Sequence, residues 1–158
     1  MKWNLHIQTI SKTFKNKLWT IRRLKSIGGS LDDMRQVYIT QIRPVTETAC
    51  PAWNSALTQQ NIDNLEKLQK LALKLILENK YISYENALKK LKLTTLKERR
   101  LKLSVSFSKK TVKNDKYSPW FKRTSHNTRQ RFANSYGRTT AYQKSPLPYL
   151  TNLLNQNM

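Results

Sequence analysis

The stretch TQQNIDNLEKLQKLALKLILE, Thr58–Glu78, sets the fold class. Its apolar residues Ile62, Leu65, Leu68, Ala72, Leu75 and Ile76 recur at steps of three and four, one face of an α-helix, and Thr58 is placed to cap its start. Upstream, Ile7, Ile10, Phe14, Leu18, Ile21 and Leu24 repeat the pattern between Leu5 and Ile27, where Gly28 and Gly29 end it. Lys12, Lys15, Arg22 and Lys25 fall mostly off that stripe, which predicts an amphipathic helix with a basic outer face. Ser30 with Asp33 predicts a capping box, with Asp shorter than the preferred Glu or Gln. A second helix follows that turns Leu31, Met34, Val37, Tyr38 and Ile42 inward until Pro44 kinks or stops it. Cys50, Pro51, Ala52 and Trp53 form a small-residue corner anchored in the core by Trp53.

Ser83 caps a short helix holding Ala87, Leu88 and Leu91, and Thr95 with Glu98 opens another that runs through Leu103 to about Phe107. Five helices before residue 113 predict an all-α protein, a small helical bundle with a basic, largely irregular C-terminal tail. The domain reading is therefore 1–112 helical and 113–158 a basic extension. From 113 to 145 the periodicity disappears and Ser, Thr, Asn, Gln and Arg dominate, which predicts extended or disordered chain. Leu147 to Leu154 is a short apolar end that can dock back as a turn or helix.

Thirty Lys and Arg against nine Asp and Glu give a net charge of +21, beyond what solubility requires and costly in self-repulsion. Residues 1–31 and 116–158 each carry seven basic side chains and no acidic one. Two ends kept free of internal competition for phosphate predict an anionic polymer, RNA or DNA, as partner; acidic lipid or plain solubility charge are the alternatives. Cys50 is the single cysteine and no Cys/His cluster has zinc-site spacing. The most apolar window, Leu71–Leu77, is interrupted by Lys74 and too short to span a bilayer. With no signal-like N-terminus, a soluble protein of the nucleus or cytoplasm is expected, without a membrane role.

Catalysis needs convergent groups. His6 and His126 have no neighbouring Cys, and the adjacent acids Asp32 and Asp33 sit at a helix start, where the dipole favours negative charge. Two-metal chemistry and a glycine-rich phosphate loop both lack their residues, so no catalytic residue, metal ligand or cofactor is expected, and the chain as it stands reads as no enzyme. Binding is better supplied. Trp19 beside Arg22 and Arg23 can stack on a base while the guanidiniums hold phosphate, or it can pack in the core. Arg99 and Arg100 follow a helix N-terminus that attracts phosphate, or they are solvated or paired with Glu98 and Glu85. Arg123, Arg129, Arg131 and Arg138 interleave with Trp120, Phe121, Phe132 and Tyr136, a mixture suited to single strands or RNA, or else a basic linker.

Several stretches together carry a resemblance. QIRPVTETACPAWNSALT from Gln41 to Thr58, LEKLQKLALKLIL, and YENALKKLKLTTLKERR ending at Arg100 resemble, in order and spacing, the region after the polymerase palm in jockey-like non-LTR retrotransposon reverse transcriptases. KWNLHIQTISK resembles the segment that follows the last palm strands of that family, and KSPLPYLTNLLN the end of its open reading frames. The similarity covers nearly the whole chain, with Arg-Pro-Val to Pro-Ala-Trp its most specific part. It implies a helical thumb that holds template–primer duplex and a C-terminal extension that contacts element RNA, with a palm and fingers module as a further partner. The family's paired polymerase aspartates have no counterpart, since Asp32 and Asp33 do not match that motif. Met1 falls within a family segment, so the resemblance implies a piece of a longer polymerase or, in the alternative, a decayed reading frame binding polyanions without selection.

Overall fold

A computed structural model of the chain describes residues 3–124, 131–133 and 137–157. The helices are α1 (Asn4–Ser26), α2 (Leu31–Val37), α3 (Cys50–Trp53), α4 (Gln59–Leu77), α5 (Tyr84–Lys90), α6 (Leu96–Lys113), α7 (Thr140–Gln143) and α8 (Pro146–Asn157). The protein is all-α; among the described residues an isolated bridge, Arg123 to Phe132, is the β-type pairing. No described helix is long and apolar enough to cross a membrane. The chain folds as two compact units that interleave in sequence, one of Lys2–Thr48 with Thr58–Arg99, the other of Ala49–Leu57 with Arg100–Met158.

In the first unit α1 packs along α4, and α2 and α5 complete the layer. Ile7, Ile10, Phe14, Leu18 and Ile21 of α1 are buried, as are Leu65, Leu68, Ala72 and Ile76 of α4. Ile62 and Leu75 are only half-buried, and Leu73, Leu77 and the amides of Asn61 and Gln69 share the inner face with the predicted stripe. α1 ends where predicted. Gly28 takes φ +82, its N–H donates to Lys25 O and that of Gly29 to Leu24 O, so the last carbonyls of the helix are satisfied. A Cβ on Gly29 would lie 2.6 Å from Leu24 Cγ, so close approach rather than φ fixes that glycine. α5 ends in the same motif, with Lys92 N–H on Lys89 O and Leu93 N–H on Leu88 O, but here Lys92 occupies the left-handed position at φ 51.

The capping box forms: Ser30 Oγ accepts from Asp33 N–H, and Asp33 Oδ2 accepts from Ser30 N–H at 3.0 Å. Pro44 acts about three turns later by removing a donor. The preceding turn widens to a π-helix over Tyr38–Ile42, in which Arg43 N–H reaches Tyr38 O, and a 3-10 turn Arg43–Thr46 follows. Tyr38 and Ile42 stay fully buried.

The second unit is built on α3, most of α6 and α8. Its core gathers Phe121, Phe132, Leu150, Leu153 and Leu154. The end of the chain is thus the docking helix that its apolar residues announce. The corner at Cys50 is a one-turn helix, and Trp53, 1% exposed, is the anchor predicted for it. Two expectations are corrected here. α3 raises the helices begun before residue 113 to six, and α6 continues past Phe107 to Lys113. Its fully buried residues beyond that point are Ser108 and Thr111, whose hydroxyls donate to Val105 O and Phe107 O, and half-buried Val112 adds an apolar contact with the core, so the apolar signal there is weak. Between α6 and α8 the described residues form a 3-10 turn at Ser118–Trp120, the bridge and α7.

Candidate nucleic-acid interface

At about 100° per residue, Lys12, Lys15, Trp19, Arg22 and Arg23 fall within one sector of α1, rotated away from the buried stripe. All five are exposed. Trp19 is 64% exposed, which settles its sequence ambiguity against the core. The stripe runs about 16 Å from Lys12 to Arg23, by helical rise. It continues upstream into a groove of about 670 Å³ lined by Asn4, Gln8, Ser11, Lys12, Lys15 and the start of α4. No carboxylate is among the residues lining that groove. The α4 terminus brings backbone donors to the same place, with Thr58 Oγ1 taking only that of Asn61. Asn4, Gln8, Ser11 and Asn64 escape the sequence reading, although the first three simply extend the spacing of Lys12 and Lys15 by a turn or two.

Lys25 lies toward the inner side of the same helix and is ion-paired with Glu78, so it does not belong to this face. The other ion pairs among the described residues join Arg43 and Arg99 to one oxygen of Glu47, at 3.0 and 3.2 Å. Arg99 is thereby half-buried and charge-compensated, by Glu47 rather than by Glu98 or Glu85. Arg100 is fully buried; its Nε donates to Asn54 Oδ1 at 3.2 Å and its guanidinium lies 6.0 Å from the Trp53 ring centre. Arg100 is withdrawn from phosphate, a correction to the sequence reading, while Arg99 is partly compensated, and the helix N-terminus expected to attract phosphate beside them is itself occupied. The first N–H groups of α6 are already taken, Leu96 by Gln69 Oε1, Lys97 by Glu66 Oε1 and Glu98 by Thr95 Oγ1. Tyr84 completes this cluster 2.6 Å from Glu66, and burial followed by that carboxylate bond pushes its phenol well above the ordinary range.

In the second unit Lys122, Arg123 and Arg131 are exposed around the bridge, where Thr124 N–H donates to Arg131 O and Ala133 N–H to Lys122 O. Arg138 is exposed elsewhere on the chain, and Arg129, His126 and Tyr136 lie outside the described residues. The aromatic partners expected for these cations divide. Phe121 and Phe132 are buried edge to face, centres 6.3 Å apart, with Phe132 clamped through its N–H and C=O by the side chain of Asn155. They are core, not stacking surface. Trp120 is 59% exposed and remains free to stack.

Asp33 is occupied as a cap, and the hydrogen bond from the Ser30 hydroxyl, then that from its backbone, holds its carboxyl below the usual 3.8. Among the described residues no three His, Cys, Asp or Glu are grouped to hold a metal ion. Compared with family models, curated proteins and solved structures, the chain matches none of them.

Proposed function

We propose that the chain is the thumb-and-tail part of a jockey-like non-LTR retrotransposon reverse transcriptase, an RNA-directed DNA polymerase. Its task is to grip template–primer duplex or element RNA in the nucleus or cytoplasm. It does not itself polymerise; copying rests with a palm and fingers module that holds the metal-binding aspartates. The observation that carries this reading is the acid-free face of α1, where Lys12, Lys15, Arg22 and Arg23 stand exposed along one line with Trp19 among them. Four cations along about 16 Å match the linear charge of a polynucleotide backbone far better than that of a small anion. Supporting it further, the family-like segments Gln41–Thr58 and Tyr84–Arg100 supply Trp53, Arg99 and Arg100, which are used to hold the helices together.

The test is fluorescence anisotropy with labelled RNA, DNA and RNA–DNA hybrid across a salt series. Neutralising about six phosphates costs several orders of magnitude in affinity between low and moderate salt. Affinity that is absent, or indifferent to salt, defeats the proposal. Primer extension with and without an added palm and fingers module then checks that the chain grips without copying.

A further inference from the structure

The second unit holds an apolar cleft of about 790 Å³, within the range of small-molecule sites, walled by Phe107, Tyr117, Trp120, Pro146, Leu147 and Leu150. Phe107 and Trp120 are 47% and 59% exposed, which leaves their rings within reach of a ligand. Tyr117 meets Trp120 edge to face, centres 5.1 Å apart, so the two rings form a corner with differently oriented faces. Lys116 marks a cationic rim. Lys110, Lys116 and Lys144 are exposed, and each immediately precedes a lining residue, Thr111, Tyr117 and Ser145 respectively. The Lys116 ammonium lies 5.7 Å from the Tyr117 ring centre. One acid, Asp115, falls within Arg100–Met158, against twelve Lys and Arg.

From this geometry we infer that the cleft receives an unpaired nucleobase of a single strand, stacked on Trp120, with flanking phosphates on the rim lysines. The inference rests on the nucleic-acid reading above and deepens it. A flat aromatic ligand with an anion on either side satisfies both wall and rim. An aliphatic protein segment would fill the wall and leave the Lys116 ammonium beside it uncompensated. Duplex is excluded from such a cleft because its bases are stacked and paired, whereas a free strand offers every base a stacking partner without regard to sequence.

The test compares the full chain on oligo(dT) and on a strand of equal length and charge whose central sugars are abasic. The wild-type protein binds the base-bearing strand about tenfold to a hundredfold more tightly. Trp120→Ala abolishes that preference and leaves the abasic strand and duplex unaffected, while Trp120→Phe retains it. A strand carrying 5-iodouracil photocrosslinks to Trp120 or Tyr117 in the unmutated protein, a readout that needs no variant to fold. Salt-sensitive binding without preference for bases, or crosslinks confined to Trp19, overturns the inference and leaves the gripping function standing; binding of neither strand overturns both. A dimer, or capture of an acidic amphipathic peptide, that depends on Trp120 while the abasic strand competes equally well also overturns it.

Discussion

Near the end of α1 and near the start of α6 the chain carries two adjacent arginines, and their surroundings are opposite. Arg22 and Arg23 are exposed at a helix C-terminus with no acid on their helix, where their charge also favours the helix dipole. Arg99 shares the Glu47 carboxylate with Arg43, and Arg100 lies buried beside Trp53 and Asn54. What differs is the company each pair keeps: a guanidinium acts on an external phosphate only where no internal carboxylate or amide has claimed it, and where water still reaches it.

The sharpest way to break this contrast is to exchange the two pairs as mutational targets. Arg100→Ala removes a buried side chain and leaves the Asn54 acceptor without its donor, so it should destabilise the fold by about 2 to 4 kcal/mol, read as a lower urea midpoint. Arg22→Gln with Arg23→Gln should move the same midpoint by about 0.5 kcal/mol or less. The paired change should nevertheless weaken polynucleotide binding roughly tenfold to a hundredfold at about 0.1 M salt. Equal stability losses for the two sets would erase the distinction between gripping and structural arginines.

A smaller effect separates the two helix ends that share a capping motif. Lys92 holds a left-handed φ that costs a side-chain-bearing residue about 1 kcal/mol, so Lys92→Gly should raise the melting temperature, whereas Gly28→Ala should lower it by a comparable amount. Opposite signs in thermal melts are the expected result. The smallest effect belongs to Asp33. Its folded carboxyl titrates below the usual 3.8, so its cap is intact above that value and is lost as pH falls through the folded pKa. Asp33→Asn should lower the melting temperature slightly near neutral pH, where the carboxylate cap is intact, and the two profiles should converge as pH falls through the folded pKa.

Much of the fold lies open in the chain because most helix starts carry their own side-chain caps: Ser30, Thr58, Ser83 and Thr95 each accept the N–H bond their spacing implies. The length of α6 is hidden because its fully buried residues beyond Phe107 are Ser108 and Thr111, which read as loop. The α1 face is legible as well, since a helical period and an absence of acids are local properties. The fates of Arg99 and Arg100 are not, because Glu47 and Asn54 lie 52 and 46 residues away in the chain. Nor does interleaving of Phe121 and Phe132 with arginines disclose that Asn155 and α8 draw those rings inward.

The claim that one face of α1 clasps a polynucleotide backbone is tested most directly by the salt slope of hybrid-duplex binding. Wild-type protein is compared with a variant carrying Lys12→Gln, Lys15→Gln, Arg22→Gln and Arg23→Gln. Loss of four phosphate contacts should reduce the slope of log affinity against log salt by about 3.5, with the cooperative melt preserved. A slope unchanged by the four substitutions would place the grip elsewhere and contradict the account.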